Sequence, residues 1–310
     1  MTTRTGMNES QEPCEDALFF DFRVGTLDCV ALSDGYIDAP LKTTAPEIAE
    51  DELKDFLTEH GDETERRRMP ISCLFVKTAP GRGMLIDAGI GTLPGPNGLP
   101  IATAGRLGEA MAAAGIDATA IETVLISHIH PDHIGGLFCD EDRPAFPNAY
   151  YFAPAEEVAF WGHSSPDLGG TLMSPGMRAD TISAAKRFLD LAGDRLVAFA
   201  SGDEVVPGVQ TIPLEGHTPG QVGFLFDGGE QSLLYTADAA AHRSIAVKRP
   251  DWRFSFDTDA TVAIATRKRL IELLVEKGWA MFTPHFPWPS LGTIVRRDGE
   301  TNWYPADRSA

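Results

Sequence analysis

Apolar and polar positions follow two rhythms along the chain, period 2 and period 3.6, and their succession marks out the elements. Residues 19–24 and 27–32 predict a hairpin turning at Gly25-Thr26 and closed by Ser33-Asp34-Gly35. Residues 46–60 predict a helix with Pro46 in its first turn. Stretches 73–78 and 84–87 predict paired strands across Pro80-Gly81-Arg82-Gly83, and 91–100 is a glycine-rich loop of flap-like composition. Leu107, Ala110, Met111 and Ala114 share one helical face, with Gly115 as C-cap. Stretch 121–126 is β-branched and apolar, a buried strand, so the elements run β-α-β.

Downstream, 149–152 predicts a short strand and 154–161 a helix with Val158 and Trp161 on one side. A Ser/Pro/Gly-rich loop at 163–175 precedes a helix over 178–192. Strands are predicted at 196–199, 209–214, 222–226 and 232–235. Asp257-Thr258-Asp259 supplies N-cap candidates for a long helix to Lys277, ended by Gly278. Strands at 280–283, 292–296 and 302–304 complete the pattern. No linker or shift of composition divides it. The reading is one domain over 17–310, built of two similar β-then-α halves, after a polar, acidic and disordered tail at 1–16.

Composition and charge narrow the partners. The 310 residues are 43% hydrophobic and 23% charged, as in an ordinary soluble domain. A net charge of −19 repels phosphate backbones and anionic bilayers, which argues against nucleic acid and membranes and fits a small neutral substrate. Cys14, Cys29, Cys73 and Cys139 show no C-x-x-C spacing and read as reduced thiols. The first residues lack an apolar signal core and no stretch reaches membrane-spanning length, so cytoplasm is the expectation. Arg66-Arg67-Arg68 reads as a solvated cationic stretch, with phosphate binding the minor alternative.

The chemistry concentrates at Ser127-His128-Ile129-His130-Pro131-Asp132-His133, directly after the 121–126 strand. Three histidines and an aspartate within six positions, H-x-H-x-D-H, have no packing rationale, whereas a lone histidine usually does. Neutral imidazoles with a carboxylate suit zinc, iron, manganese or cobalt rather than calcium. The second half adds Gly216-His217-Thr218-Pro219-Gly220, Ala237-Asp238 and Pro284-His285-Phe286, each at a strand end. Each is weak singly. Together they line the carboxyl edge of a sheet, where α/β sites form, and supply enough ligands for two cations. Two cations sharing a water generate hydroxide near neutral pH and polarise a carbonyl or phosphoryl oxygen.

With H-x-H-x-D-H, G-H-T-P-G, A-D and P-H-F in this order, nearly the whole chain resembles the metallo-β-lactamase superfamily. The resemblance implies a single-domain α/β fold, the four-layer αββα sandwich, with a dinuclear site between two sheets. It implies His128, His130 and His217 on the first metal, Asp132, His133 and His285 on the second, and Asp238 bridging. Zinc is the implied ion, with iron, manganese and cobalt open. Asp132 is the candidate proton carrier to the leaving oxygen, and Asp87 and Ser127 are candidates to orient ligands.

The bridging Asp238 sets the chain apart from zinc β-lactamases and resembles the lactonase, glyoxalase II and phosphotriesterase branches. Phe146-Pro147-Asn148-Ala149, Glu157 with Phe160-Trp161, Val206-Pro207-Gly208-Val209, Phe256-Asp257-Thr258-Asp259 and Phe286-Pro287 with Gly292 resemble the methyl-parathion hydrolase and acyl-homoserine-lactone lactonase group. That implies a metal-bridging hydroxide opening a lactone, as in quorum quenching, with a phosphotriesterase or arylesterase as the alternative. A homodimer is implied as well. One position departs. Many lactonases of this kind carry a tyrosine three residues after the bridging aspartate, where this chain has Ala241 followed by His242. His242 either fills that catalytic role or is an ordinary exposed histidine. Phe138, Trp161, Phe286 and Trp288 are candidates for an apolar substrate wall, or equally for core packing.

Overall fold

The computed structural model describes residues 17–79, 82–95, 99–139 and 142–306. The tail expected at 1–16 lies outside them. Strands β1 (Phe19–Val24) and β2 (Leu27–Ala39) form the hairpin, with Phe22 opposite Cys29 and Val24 opposite Leu27. The segment 33–35 does not close it. β2 runs on through a bulge between Ser33 and Gly35, and the buried Asp34 carboxylate accepts the N–H groups of Ile90, Gly105 and Leu107. Helix α1 (Glu50–Glu59) starts four residues beyond Pro46, where three consecutive acidic residues complement its N-terminal dipole.

Strands β3 (Arg67–Ala79) and β4 (Arg82–Ile86) pair antiparallel, and helix α2 (Leu107–Ala114) ends at Gly115 in the left-handed conformation. Next come β5 (Ile121–Leu125), the single turn α3 (Pro131–Ile134), β6 (Tyr150–Pro154), α4 (Ala155–Gly162), α5 (Pro175–Ala192) and β7 (Leu196–Phe199). β1 to β7 lie in sequence order in one sheet, with β4 to β7 parallel. The chain then passes to a second sheet made of β8 (Glu204–Val206), β9 (Val209–Pro213), β10 (Val222–Asp227), β11 (Ser232–Tyr235), β12 (Ala280–Phe282), β13 (Leu291–Arg297) and β14 (Glu300–Pro305). Between β11 and β12 run α6 (Arg243–Lys248) and α7 (Ala260–Lys277). β8 and α6 are too short to leave a period in the sequence.

Side-chain alternation sorts the layers. Leu74, Val76, Ile86 and Leu125 face inward and meet Val222, Phe224, Tyr235 and Phe282 of the second sheet. Their chain neighbours Phe75, Leu85 and Val124 face outward and are covered by Ala110 and Met111 of α2, Trp161 of α4 and Phe188 of α5. Leu270, Ile271 and Leu274 of α7 cover Leu234, Met281 and Ile294 on the far side. The result is the expected αββα sandwich. Among the described residues no helix is long and apolar enough to cross a membrane.

Candidate metal centre

Each candidate ligand is delivered by the end of a strand. β5 stops at Leu125, the chain extends through His128 and His130, and Pro131 opens α3, which carries Asp132 and His133. This turn sits tight against the 88–91 loop: a Cβ on Gly135 would lie 2.1 Å from the carbonyl oxygen of Ile90. His217 follows β9 in a turn whose Gly216 has φ +119°, and a Cβ there would lie 2.2 Å from the Ala263 nitrogen. Asp238 follows β11 and His285 follows β12. Asp87 and Ala237, both non-glycine, hold φ of 55° and 46°, left-handed backbone that turns the chain sharply beside the ligands.

The structure brings all seven side chains together. His128 Nε2 lies 3.1 Å from His130 Nδ1, which lies 3.0 Å from His217 Nε2. In the second group, Asp132 Oδ2 lies 3.4 Å from His285 Nε2 and 3.8 Å from His133 Nε2. Asp238 faces both groups: its Oδ1 is 3.3 Å from His133 Nε2 and 3.2 Å from His285 Nε2, and its Oδ2 is 3.4 Å from His217 Nε2. The Nε2 atoms of His133 and His285 and Oδ1 of Asp238 are buried without hydrogen-bond partners. Such orphans cost about 1–3 kcal/mol each, a cost that cations of the zinc type would remove. The residues therefore fit two metal ions.

The opposite ring atoms are held from behind. His133 Nδ1 donates to Asp87 Oδ2 at 2.6 Å, and Asp87 also accepts the Ser127 hydroxyl (2.6 Å), the Ser127 N–H (2.8 Å) and the Tyr235 hydroxyl (2.7 Å). Ser127 Oγ lies 3.1 Å from His128 Nδ1. His217 Nδ1 meets Asp257 Oδ1 at 3.1 Å, and His285 Nδ1 donates to the Pro70 carbonyl at 2.7 Å. Asp87 and Ser127 thus orient ligands as expected. Asp257 holds His217 in the same way, and Tyr235 acts through Asp87, although in sequence they read only as a cap candidate and a strand end. Burial works against charge on Asp238, but His285 and His133 hold its carboxyl well below the usual range.

Other expectations are corrected. Arg67 is not solvated. Its guanidinium is buried, donates to the Ala241 carbonyl, and is lowered by burial to about 10 while Asp238 and Asp132 oppose the shift. His242 is not an ordinary exposed histidine either: it caps α6, its Nδ1 accepting the Ile245 N–H at 3.4 Å. Burial, reinforced by Arg67, pushes its pKa down to about 3, so the ring is a neutral acceptor. Phe138 and Phe286 are buried in the outer cores, against Tyr151 and Trp303 respectively. Trp161 is also fully buried, with its ring edge-on to His130 at 5.7 Å. Trp288 is half-buried against the core between the sheets. The burial of Phe138, Trp161 and Phe286 places those three rings in packing. Glu157, read only as part of a resemblance, proves to be buried beside the site.

The Metallo-beta-lactamase superfamily profile matches residues 66–285, and the chain belongs to that superfamily, as a metal-dependent hydrolase. Among solved structures it is similar to AidC, a dizinc quorum-quenching lactonase seen with a product, at 30% identity over 94% of this chain and 99% of that one, TM-score 0.86. It is also similar to the hydrolase AbOPH of the β-lactamase superfamily, at 23% identity over 94% and 98%, TM-score 0.83. An N-acyl homoserine lactone hydrolase with N-hexanoyl-L-homoserine at its catalytic metal centre shares the fold at 19% identity over 86% and 94%, TM-score 0.59. No curated protein matches the chain.

Proposed function

We propose that this protein holds two divalent cations, zinc the best fit, and hydrolyses lactones, with acyl-homoserine lactones the leading substrate class. The observation that carries the reading is Asp238, whose two oxygens face the two ligand groups separately. The likeness to AidC supports the lactone and the zinc. When bound, the cations supply Lewis acidity and make water a nucleophile near neutral pH. His128, His130 and His217 fix one position; Asp132, His133 and His285 fix the other. Asp132 has a further task. Its side chain is 17% exposed where the other ligands measured against it are at most 8%, so it alone meets both the interior and an arriving substrate. It accepts the proton lost by the attacking water and returns it to the leaving oxygen.

Phosphotriester or aryl ester hydrolysis is the second reading. Ala241 favours it, since no phenol stands at that position to meet a lactone oxygen. The test is turnover of a lactone panel beside paraoxon-type and aryl esters by metal-quantified protein, with Asp132→Ala as control. Lactones are expected to exceed the esters, and the variant to lose at least about 100-fold in kcat/KM. Preference for the phosphotriester would reverse the order of the two readings. Two metals per chain with no turnover would sink both.

A further inference from the structure

Glu157 lies in α4, outside the seven ligands, with its carboxylate wedged between the turns that bring ligands from the two halves of the chain. Oε2 accepts the N–H of Ile129 at 3.0 Å, the residue between His128 and His130. It also accepts the indole N–H of Trp161 at 2.9 Å, and the same indole packs edge-on against His130. Oε1 accepts the N–H of Gly220 at 2.8 Å, three residues beyond His217. The approach is close enough that a Cβ on Gly220 would lie 2.6 Å from the Glu157 nitrogen. Burial pushes the Glu157 pKa up, and the Thr218 hydroxyl and the N–H groups of Ile129, Gly220 and Trp161 oppose that shift by favouring the ionised carboxyl.

The electrostatic setting of the two ligand groups is uneven. The second group contains Asp132 and has Asp87 directly behind His133. The first is three imidazoles that share only Asp238, and the Asp257 carboxylate behind His217 is matched by Arg267 at 3.3 Å. Glu157 is a further buried anion behind the first group, and no described cation pairs with it. We propose that Glu157 is a positioning residue for the three-histidine cation site, locking the His128–His130 turn to the His217 turn and supplying the charge that the ligands lack. In Glu157→Gln, one acceptor oxygen becomes an NH2 group facing an N–H donor, which releases one turn and removes the charge. The effect should therefore fall on one cation of the two.

The inference rests on the two-cation reading, and the experiment separates them. Wild type, Glu157→Gln and Glu157→Asp are loaded with zinc and titrated with a chelating indicator, counting the cations retained. A parallel series loaded with 113Cd assigns each resonance by its loss in His217→Ala. Expected for Glu157→Gln is release of one cation at least about tenfold more readily than in wild type, with loss of the His217-dependent resonance and the other retained. Glu157→Asp keeps the charge with a shorter reach and should fall between. Parallel loss of both cations, or wild-type retention of both, would overturn the proposal. If Glu157→Gln does not fold, Glu157→Asp decides: selective weakening supports the proposal and wild-type affinity overturns it. A wild type that binds fewer than two cations would refute the two-cation reading instead.

Discussion

His242 shows how far a side chain's surroundings can displace its chemistry. An unfolded chain takes up a proton on this ring near pH 6.5, whereas in the folded protein burial and Arg67 delay uptake to about pH 3. Between those values the unfolded state binds the extra proton, so stability falls as pH drops from about 6.5 towards 3. Glutamine offers the Ile245 N–H an acceptor and has no such proton to gain. His242→Gln is therefore expected to show a smaller drop in Tm between pH 7 and pH 5 than wild type, read by thermal melts of both at each pH. Such behaviour was not legible in the sequence. H-x-H-x-D-H was legible because its spacing is local and no packing argument yields it. Arg67 was not, because the carbonyl that receives its guanidinium belongs to Ala241, 174 residues away. In sequence Glu157 is one of two acidic residues in the first turn of a helix, and only the fold brings the N–H groups of Ile129 and Gly220 onto it.

At the scale of elements, legibility followed length and capping. α7 was readable from both ends because Asp259 accepts the N–H groups of Thr261 and Val262 at 3.0 Å, and Gly278 closes it in left-handed backbone. Asp259→Ala removes that cap and should cost about 1 kcal/mol of stability, seen as a lower urea midpoint with an unchanged slope. The backbone N–H of Asp259, which donates to the Gly216 carbonyl at 2.9 Å next to His217, is kept in alanine, so the loss should be confined to the cap. β2 is longer than its sequence suggests because Ser33-Asp34-Gly35 has the composition of a turn. Tertiary pairing with β3 overrode that local preference and made it a bulge. β8, at three residues, presents no alternation to read.

At the scale of the molecule, the ligands are divided between the two sheets. His128, His130, Asp132 and His133 follow β5 of the first, while His217, Asp238 and His285 follow β9, β11 and β12 of the second. Cations bound there stabilise only the assembled form, by about 2.7 kcal/mol for each site held at a hundred times its Kd. Removing them with a chelator should lower Tm, and restoring zinc should bring it back; an unchanged Tm would mean that the centre adds nothing to the fold. The same division has a consequence for how the chain could be cut. The first seven strands all lie in one sheet and the last seven in the other, and the single passage between them is the exposed turn around Gly202. A break there would sever no strand and remove no ligand. It would leave two fragments with complementary halves of one coordination sphere, for which the metals would serve as the clasp.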